Sequence, residues 1–216
     1  MDIAGKTVAF LGDSITEGVG ASAIENRFTD VFARLTGGVS LNYGVSGTRI
    51  ARQKKPSANP LFDEDFISRV DSMDPCADVV VVFGGTNDFG HGDAPLGQFS
   101  DGTEYTFYGA LHVLYKKLIE KYPHADVVVL TPLHRLSENA TVNEIGLPCA
   151  PLKKYVEAIR EVAEYYALPV LDLYKMSGFQ PAVEIIRTTY MPDGLHPSDA
   201  GAAKIADKLR DFLLAL

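Results

Sequence analysis

Four short stretches of the chain carry the residue types best suited to chemistry. Gly12-Asp13-Ser14-Ile15-Thr16-Glu17-Gly18 sets a serine hydroxyl directly behind an apolar run. A glycine and a small polar residue there let the backbone turn sharply. The hydroxyl is then exposed and amide protons point outward, as a nucleophile or an anion-binding loop requires. Asn42-Tyr43-Gly44-Val45-Ser46-Gly47 offers, at Gly44, a bare amide able to come close to a substrate. Gly84-Gly85-Thr86-Asn87-Asp88 presents a carboxamide beside two glycines, and Asp193-Gly194-Leu195-His196-Pro197 places a carboxylate three residues ahead of an imidazole.

Acyl transfer asks for this inventory: a weak nucleophile, a neutral base to take its proton, an anion to orient that base, and donors for the tetrahedral oxyanion. The spacing from Asp193 to His196 lets one tight turn hold the carboxylate against the ring. That contact fixes the tautomer and favours the imidazolium formed later. Taken singly, each residue also has a plainer role, Ser14 and Asn87 as helix caps, Gly44 and Asp193 as turn residues. It is their occurrence together that points to chemistry.

The elements that must position these groups are legible from hydrophobic pattern. Continuous apolar, β-branched runs at residues 7–11, 41–45, 78–83, 126–130 and 169–173 suit strands of a parallel sheet buried on both faces. Between them, Phe28, Val31, Phe32 and Leu35 share one helical face. So do Phe107, Ala110, Leu111, Leu114 and Leu118, and likewise Leu152, Tyr155, Val156, Ile159 and Ala163. A last helix opens at Ser198 as cap and repeats at Ala202, Ile205, Ala206, Leu209 and Leu213. This alternation predicts an α/β fold, a three-layer α/β/α sandwich with right-handed crossovers, formed by all 216 residues as one domain. Each of the four motifs then follows a strand or opens the last helix, where ligands of such sheets bind.

With the motifs in this order, the chain resembles the SGNH hydrolases, the GDSL-type esterases and lipases. The resemblance spans Gly12 to His196, with Ile15 standing where the family name has leucine. It implies a five-stranded parallel, flavodoxin-like sheet of order 2-1-3-4-5. It also implies Ser14 as nucleophile, His196 as general base and then acid, Asp193 as the orienting carboxylate, and an oxyanion hole from the Ser14 amide, the Gly44 amide and the Asn87 side chain. The G-x-S-x-G elbow of the α/β-hydrolases is absent.

Other residues are read more plainly. Asp13 supports the turn through hydrogen bonds. His91 and His134 follow the third and fourth strands and are candidates to line the substrate pocket, whereas His112 and His124 read as structural or surface residues. No histidine or cysteine pair has zinc-site spacing, so neither metal nor cofactor is expected. Twenty basic against twenty-eight acidic residues give a net charge of −8, which disfavours nucleic acid as a partner. The N-terminus lacks signal-peptide character and no run reaches bilayer length, so a cytoplasmic protein without membrane partners is expected, with Cys76 and Cys149 as reduced thiols. The long connections 48–61 and 89–106 are rich in Arg, Lys, Gln, Asp and Tyr and are expected to wall the site. Their polarity predicts a small-molecule substrate, an acetyl or other short acyl ester of a polar or carbohydrate-like alcohol. A thioesterase or lysophospholipase with the same triad is the rival among enzymes. A flavin- or phosphate-binding module is the rival from another class, though the Asp193–His196 pair has no purpose there.

Overall fold

The strand-forming runs assemble into one parallel sheet. In the computed structural model, which describes residues 1–216, β1 (Thr7–Gly12), β2 (Val39–Gly44), β3 (Val79–Phe83), β4 (Asp126–Leu130) and β5 (Val170–Leu171) pair in the order β2-β1-β3-β4-β5. The helices are α1 (Ser14–Glu17), α2 (Phe28–Thr36), α3 (Phe66–Arg69), α4 (Thr86–His91), α5 (Phe107–Lys121), α6 (Leu152–Tyr165), α7 (Leu173–Met176), α8 (Glu184–Tyr190) and α9 (Asp199–Ala215).

Alternation along the strands explains why their sequences are apolar throughout. Ala9, Leu11, Val80, Val82, Val127 and Val129 point into a core shared with α3, α5 and α6. Val8, Phe10, Val79, Val81, Val128 and Leu130 point into the opposite core, filled by α2 and α9. Phe10 sits edge-on to Phe28 and Phe32 of α2, with ring centroids 5.6 and 5.7 Å away. Each such fully buried side chain contributes roughly 1.5–3 kcal/mol, so two helical layers are needed to cover the sheet. The result is the three-layer sandwich. No helix is long and apolar enough to cross a membrane.

The strand order puts β1 between the second and third strands, and successive connections from β1 leave toward opposite sides. A crevice opens where they part. Gly12 pairs with Gly44 on one side and Phe83 on the other, so the ends of β1, β2 and β3 lie level beneath it.

Two strands differ from their sequence-predicted bounds. The edge strand β2 starts at Val39, which is exposed and therefore adds nothing to the apolar pattern. β5 is only two residues long because Pro169 has no N–H to donate and Asp172 already caps α7, accepting from the Lys175 amide at 3.1 Å.

Candidate active site

Asp13 follows β1 as the cap of α1. Its side chain accepts the Ile15 amide at 3.0 Å, so Ser14 becomes the first helical residue with its side chain turned into the crevice. The Ser14 Oγ lies 3.0 Å from His196 Nε2, and His196 Nδ1 lies 2.6 Å from Asp193 Oδ2. The other Asp193 oxygen accepts the backbone amides of Leu195 and His196 at 2.9 and 2.7 Å. Asp193-Gly194-Leu195-His196 thus folds around its own carboxylate, and the short spacing read from the sequence is the spacing of that turn. Burial alone would raise the Asp193 carboxyl. The His196 side chain and the two amides outweigh it and hold the carboxyl below its ordinary range. The arrangement provides an ionised acceptor for the ring N–H and a hydrogen-bonded path from hydroxyl to imidazole.

Donors for a developing negative charge lie beside the hydroxyl, with one change from the expected set. The Gly44 amide donates to the Asn42 side chain at 2.8 Å and is not offered to the crevice. Gly44 is needed for another reason: a Cβ there would come within 2.1 Å of the Glu17 nitrogen, so its bareness lets β2 pass under α1. Three residues on, Gly47 lines the crevice with Ser14 and Asn87. Its φ of +75° and the Phe62 ring, 2.2 Å from where a Cβ would stand, both demand glycine. Neither the Ser14 nor the Gly47 amide has an acceptor within the chain. Asn87, on the first turn of α4, spends one amide hydrogen on the Thr48 carbonyl at 3.0 Å, which leaves its second hydrogen unspent.

A buried polar layer supports these donors, and sequence reasoning did not anticipate it. Arg69 donates to the carbonyls of Gly12 and Tyr43 and to the Thr48 hydroxyl, at 3.0, 2.6 and 2.8 Å. Asp88 accepts the Ile50 and Ala51 amides at 3.0 and 2.8 Å, tying the segment after Gly47 to α4. Burial raises Asp13 to about 7, against the opposing Ile15 amide and Arg69 charge. Burial raises Asp88 to about 6, against the Ala51 and Ile50 amides and the Arg49 charge.

With the geometry in place, the relatives are informative. The model of the GDSL-like Lipase/Acylhydrolase family matches residues 10–204, nearly the whole chain. This chain belongs to that family. One solved structure shares 34% identity over 100% of this chain and 99% of its own, with a TM-score of 0.86. A protein from Lactobacillus plantarum shares 31% over 99% and 98%, with a TM-score of 0.80. The lipase/acylhydrolase from Enterococcus faecalis shares the fold, at 22% identity over 97% and 96% and a TM-score of 0.68. No curated protein matches.

In this GDSL-like family member the crevice is a groove of about 370 Å³, walled by Phe62, His91, Arg135, Glu144 and Leu195. His91 is therefore brought to the site. Burial, and secondarily the Arg49 charge, lower it to about 4, so its ring is neutral at ordinary pH. His134 is not among the groove's lining residues. It stacks on Tyr174 at 3.8 Å and bonds Glu138 at 2.8 Å. Residues 94–106, expected to form part of the wall, instead lie along α5. The Phe107 amide bonds the Pro95 carbonyl at 2.9 Å and His112 bonds the Phe99 carbonyl at 2.9 Å. Their place is taken by Arg135 and Glu144, an ion pair from the connection after β4. Arg135 also donates to the Thr86 carbonyl at 3.2 Å and lies over the Phe89 ring.

Proposed function

We propose that this chain is a serine esterase that hydrolyses carboxylic esters through an acyl-enzyme. The observation that carries the reading is the unbroken chain from the Ser14 hydroxyl through His196 to Asp193 at 3.0 and 2.6 Å, within a groove that also holds unpaired amides. His196 Nε2 takes the hydroxyl proton as Ser14 Oγ attacks the ester carbonyl carbon. The oxyanion receives hydrogen bonds from the Ser14 and Gly47 amides and from Asn87. As the tetrahedral intermediate collapses, the imidazolium gives that proton to the leaving alkoxide, and the alcohol departs. Water then attacks the acyl-serine with His196 again as base, releasing the carboxylic acid and restoring Ser14. Asp193 remains ionised throughout and favours the imidazolium in both halves.

The polar loops of the sequence predict an acetyl ester of a polar or carbohydrate-like alcohol. For the alcohol, Ser46, Arg135 and Glu144 in the groove with Ser14 support a polar leaving group. The acyl half finds less support, because most of the polar side chains that suggested it are paired within the protein. Arg52 bonds Asp65 and Glu104, and Gln53 bonds the Ala51 carbonyl.

The decisive experiment is nitrophenyl acetate hydrolysis by wild type and Ser14→Ala, with mass spectrometry after exposure to a fluorophosphonate. Wild type turns over the ester and is labelled on Ser14, while the folded variant does neither. Near-normal turnover by Ser14→Ala would sink the mechanism.

A further inference from the structure

Phe62, His91 and Glu144 face two hollows at once, the groove at Ser14 and a second cavity of about 500 Å³. The second cavity lies between residues 49–62 and 144–147, and none of Ser14, Asp193 or His196 lines it. An ester bound at Ser14 must keep its alcohol oxygen against His196, which has to protonate it. The hollow without a triad member is therefore open to the acyl side.

Many polar side chains enclose this cavity, yet most of their hydrogen-bonding capacity is already used. Arg49 donates to His91, to the Ser57 hydroxyl at 2.7 Å, to the Phe62 carbonyl at 2.9 Å and to Asp63 at 2.9 Å. Asp93 accepts the backbone amides of Lys54 and Lys55, both at 2.8 Å. Both ends of the Gln53 amide are taken, by the Ala51 carbonyl and the Asp93 amide. What remains for an occupant, apart from the Lys55 ammonium, the Asn59 side-chain NH2 and Arg49 Nε, is largely carbon: Pro56, Ala58, Phe62, Ile145 and Leu147. A hydroxyl placed there exchanges water for few partners, whereas a methylene loses nothing and gains burial.

Building on the esterase reading, we infer that this second cavity is the acyl-chain subsite and that the preferred substrate carries a straight acyl group of medium length, butanoyl to octanoyl, rather than acetyl. Acetyl does not reach past the Phe62 and His91 side chains. A compact hollow of about 500 Å³ is roughly 10 Å across, about the length of an extended octanoyl chain and about half that of an extended palmitoyl chain, whose far methylenes are left in water.

The test is kcat/KM for nitrophenyl acetate, butyrate, hexanoate, octanoate and palmitate, measured for wild type and for two variants that fill the cavity, Ala58→Trp and Leu147→Trp. In wild type kcat/KM rises from acetate by up to about 4-fold per buried methylene, then levels or falls before palmitate. Each variant lowers the hexanoate-to-acetate ratio by about 10-fold or more. Thermal melts establish that the variants are folded; if one is not, the other and the wild-type series decide. Highest turnover on acetate, a rise that continues to palmitate, or a ratio unmoved in the folded variants overturns the inference while leaving the esterase reading intact. No turnover of any ester by wild type overturns both.

Discussion

Arg69 donates to the Tyr43 carbonyl at 2.6 Å and so fixes the last peptide of β2, the one that leads into the loop bearing Gly47. The same guanidinium reaches the Gly12 carbonyl, one residue before the α1 cap, and the Thr48 hydroxyl, one residue after Gly47. Thr48 in turn holds Asn87 through its carbonyl. One buried planar fork thereby sets the relative positions of all three donors around Ser14. Arginine suits this place because its five N–H groups diverge in fixed directions, which a lysine ammonium does not reproduce.

Arg69→Met is accordingly expected to reduce both stability and rate. The carbonyls of Gly12, Tyr43 and Glu64 and the Thr48 hydroxyl lose the guanidinium, although the Gly12 carbonyl keeps the Val45 amide. The loss costs on the order of 3 kcal/mol, read as a lower urea midpoint. At a temperature where the variant is folded, kcat should fall at least 10-fold with KM little changed, since misplaced donors matter most when the oxyanion forms. Arg69→Lys should recover part of the stability and little of kcat. A folded Arg69→Met with wild-type kcat would show the guanidinium to be scaffolding alone.

Asn87→Ala tests the side-chain donor itself. Losing it should lower kcat by about 100-fold or more with a modest change in KM, because the donor is worth most where charge develops. A pure KM effect would make Asn87 a clamp on bound substrate instead.

Asp193 is the most exposed member of its triad, with more than half of its side chain accessible. Water screens its charge, so Asp193→Asn should cost roughly 10²- to 10³-fold in kcat, short of the ~10⁴-fold loss where such a carboxylate is buried. Activity equal to wild type would remove Asp193 from the reaction.

How far the site could be read from sequence depended on whether pattern also fixes side-chain direction. Ser14, Asn87 and the Asp193–His196 turn were legible because each follows a recognisable strand or precedes a recognisable helix. Gly44 was misread for a local reason. Asn42 stands two residues before it, and an asparagine side chain readily accepts the amide at that distance. That signal in Asn-Tyr-Gly already removed Gly44 as a donor and pointed to the next glycine, Gly47. His134 follows the right strand, but Glu138 four residues on and the distant Tyr174 draw its ring elsewhere. The parallel strands were legible because buried parallel strands are apolar on both faces, whereas the sheet order, which hydrophobic pattern does not carry, came only from the family resemblance. Composition of the loops says least about the acyl group, because it counts polar groups without telling which of them are paired with one another.

The buried Asp13 makes stability depend on pH in a direction opposite to ordinary acid denaturation. Its folded-state carboxyl is raised to about 7, while an aspartate in the unfolded chain titrates near 3.9. Between about pH 4 and 7 the folded state therefore binds the proton and the unfolded state does not, so this group's contribution to stability falls as pH rises through that window. Asp88, raised to about 6, acts in the same sense over a narrower range. His91 opposes them: its folded ring is lowered to about 4, so its contribution rises with pH from about 4 toward its ordinary 6.5. Asp13→Asn keeps an oxygen to accept the Ile15 amide and removes the titration. Relative to wild type it should gain stability at pH 8 compared with pH 5, by a difference on the order of a few kcal/mol. Urea unfolding of both proteins at the two pH values measures it, and an equal wild-type-to-variant difference at pH 5 and pH 8 would mean that Asp13 does not titrate within that interval.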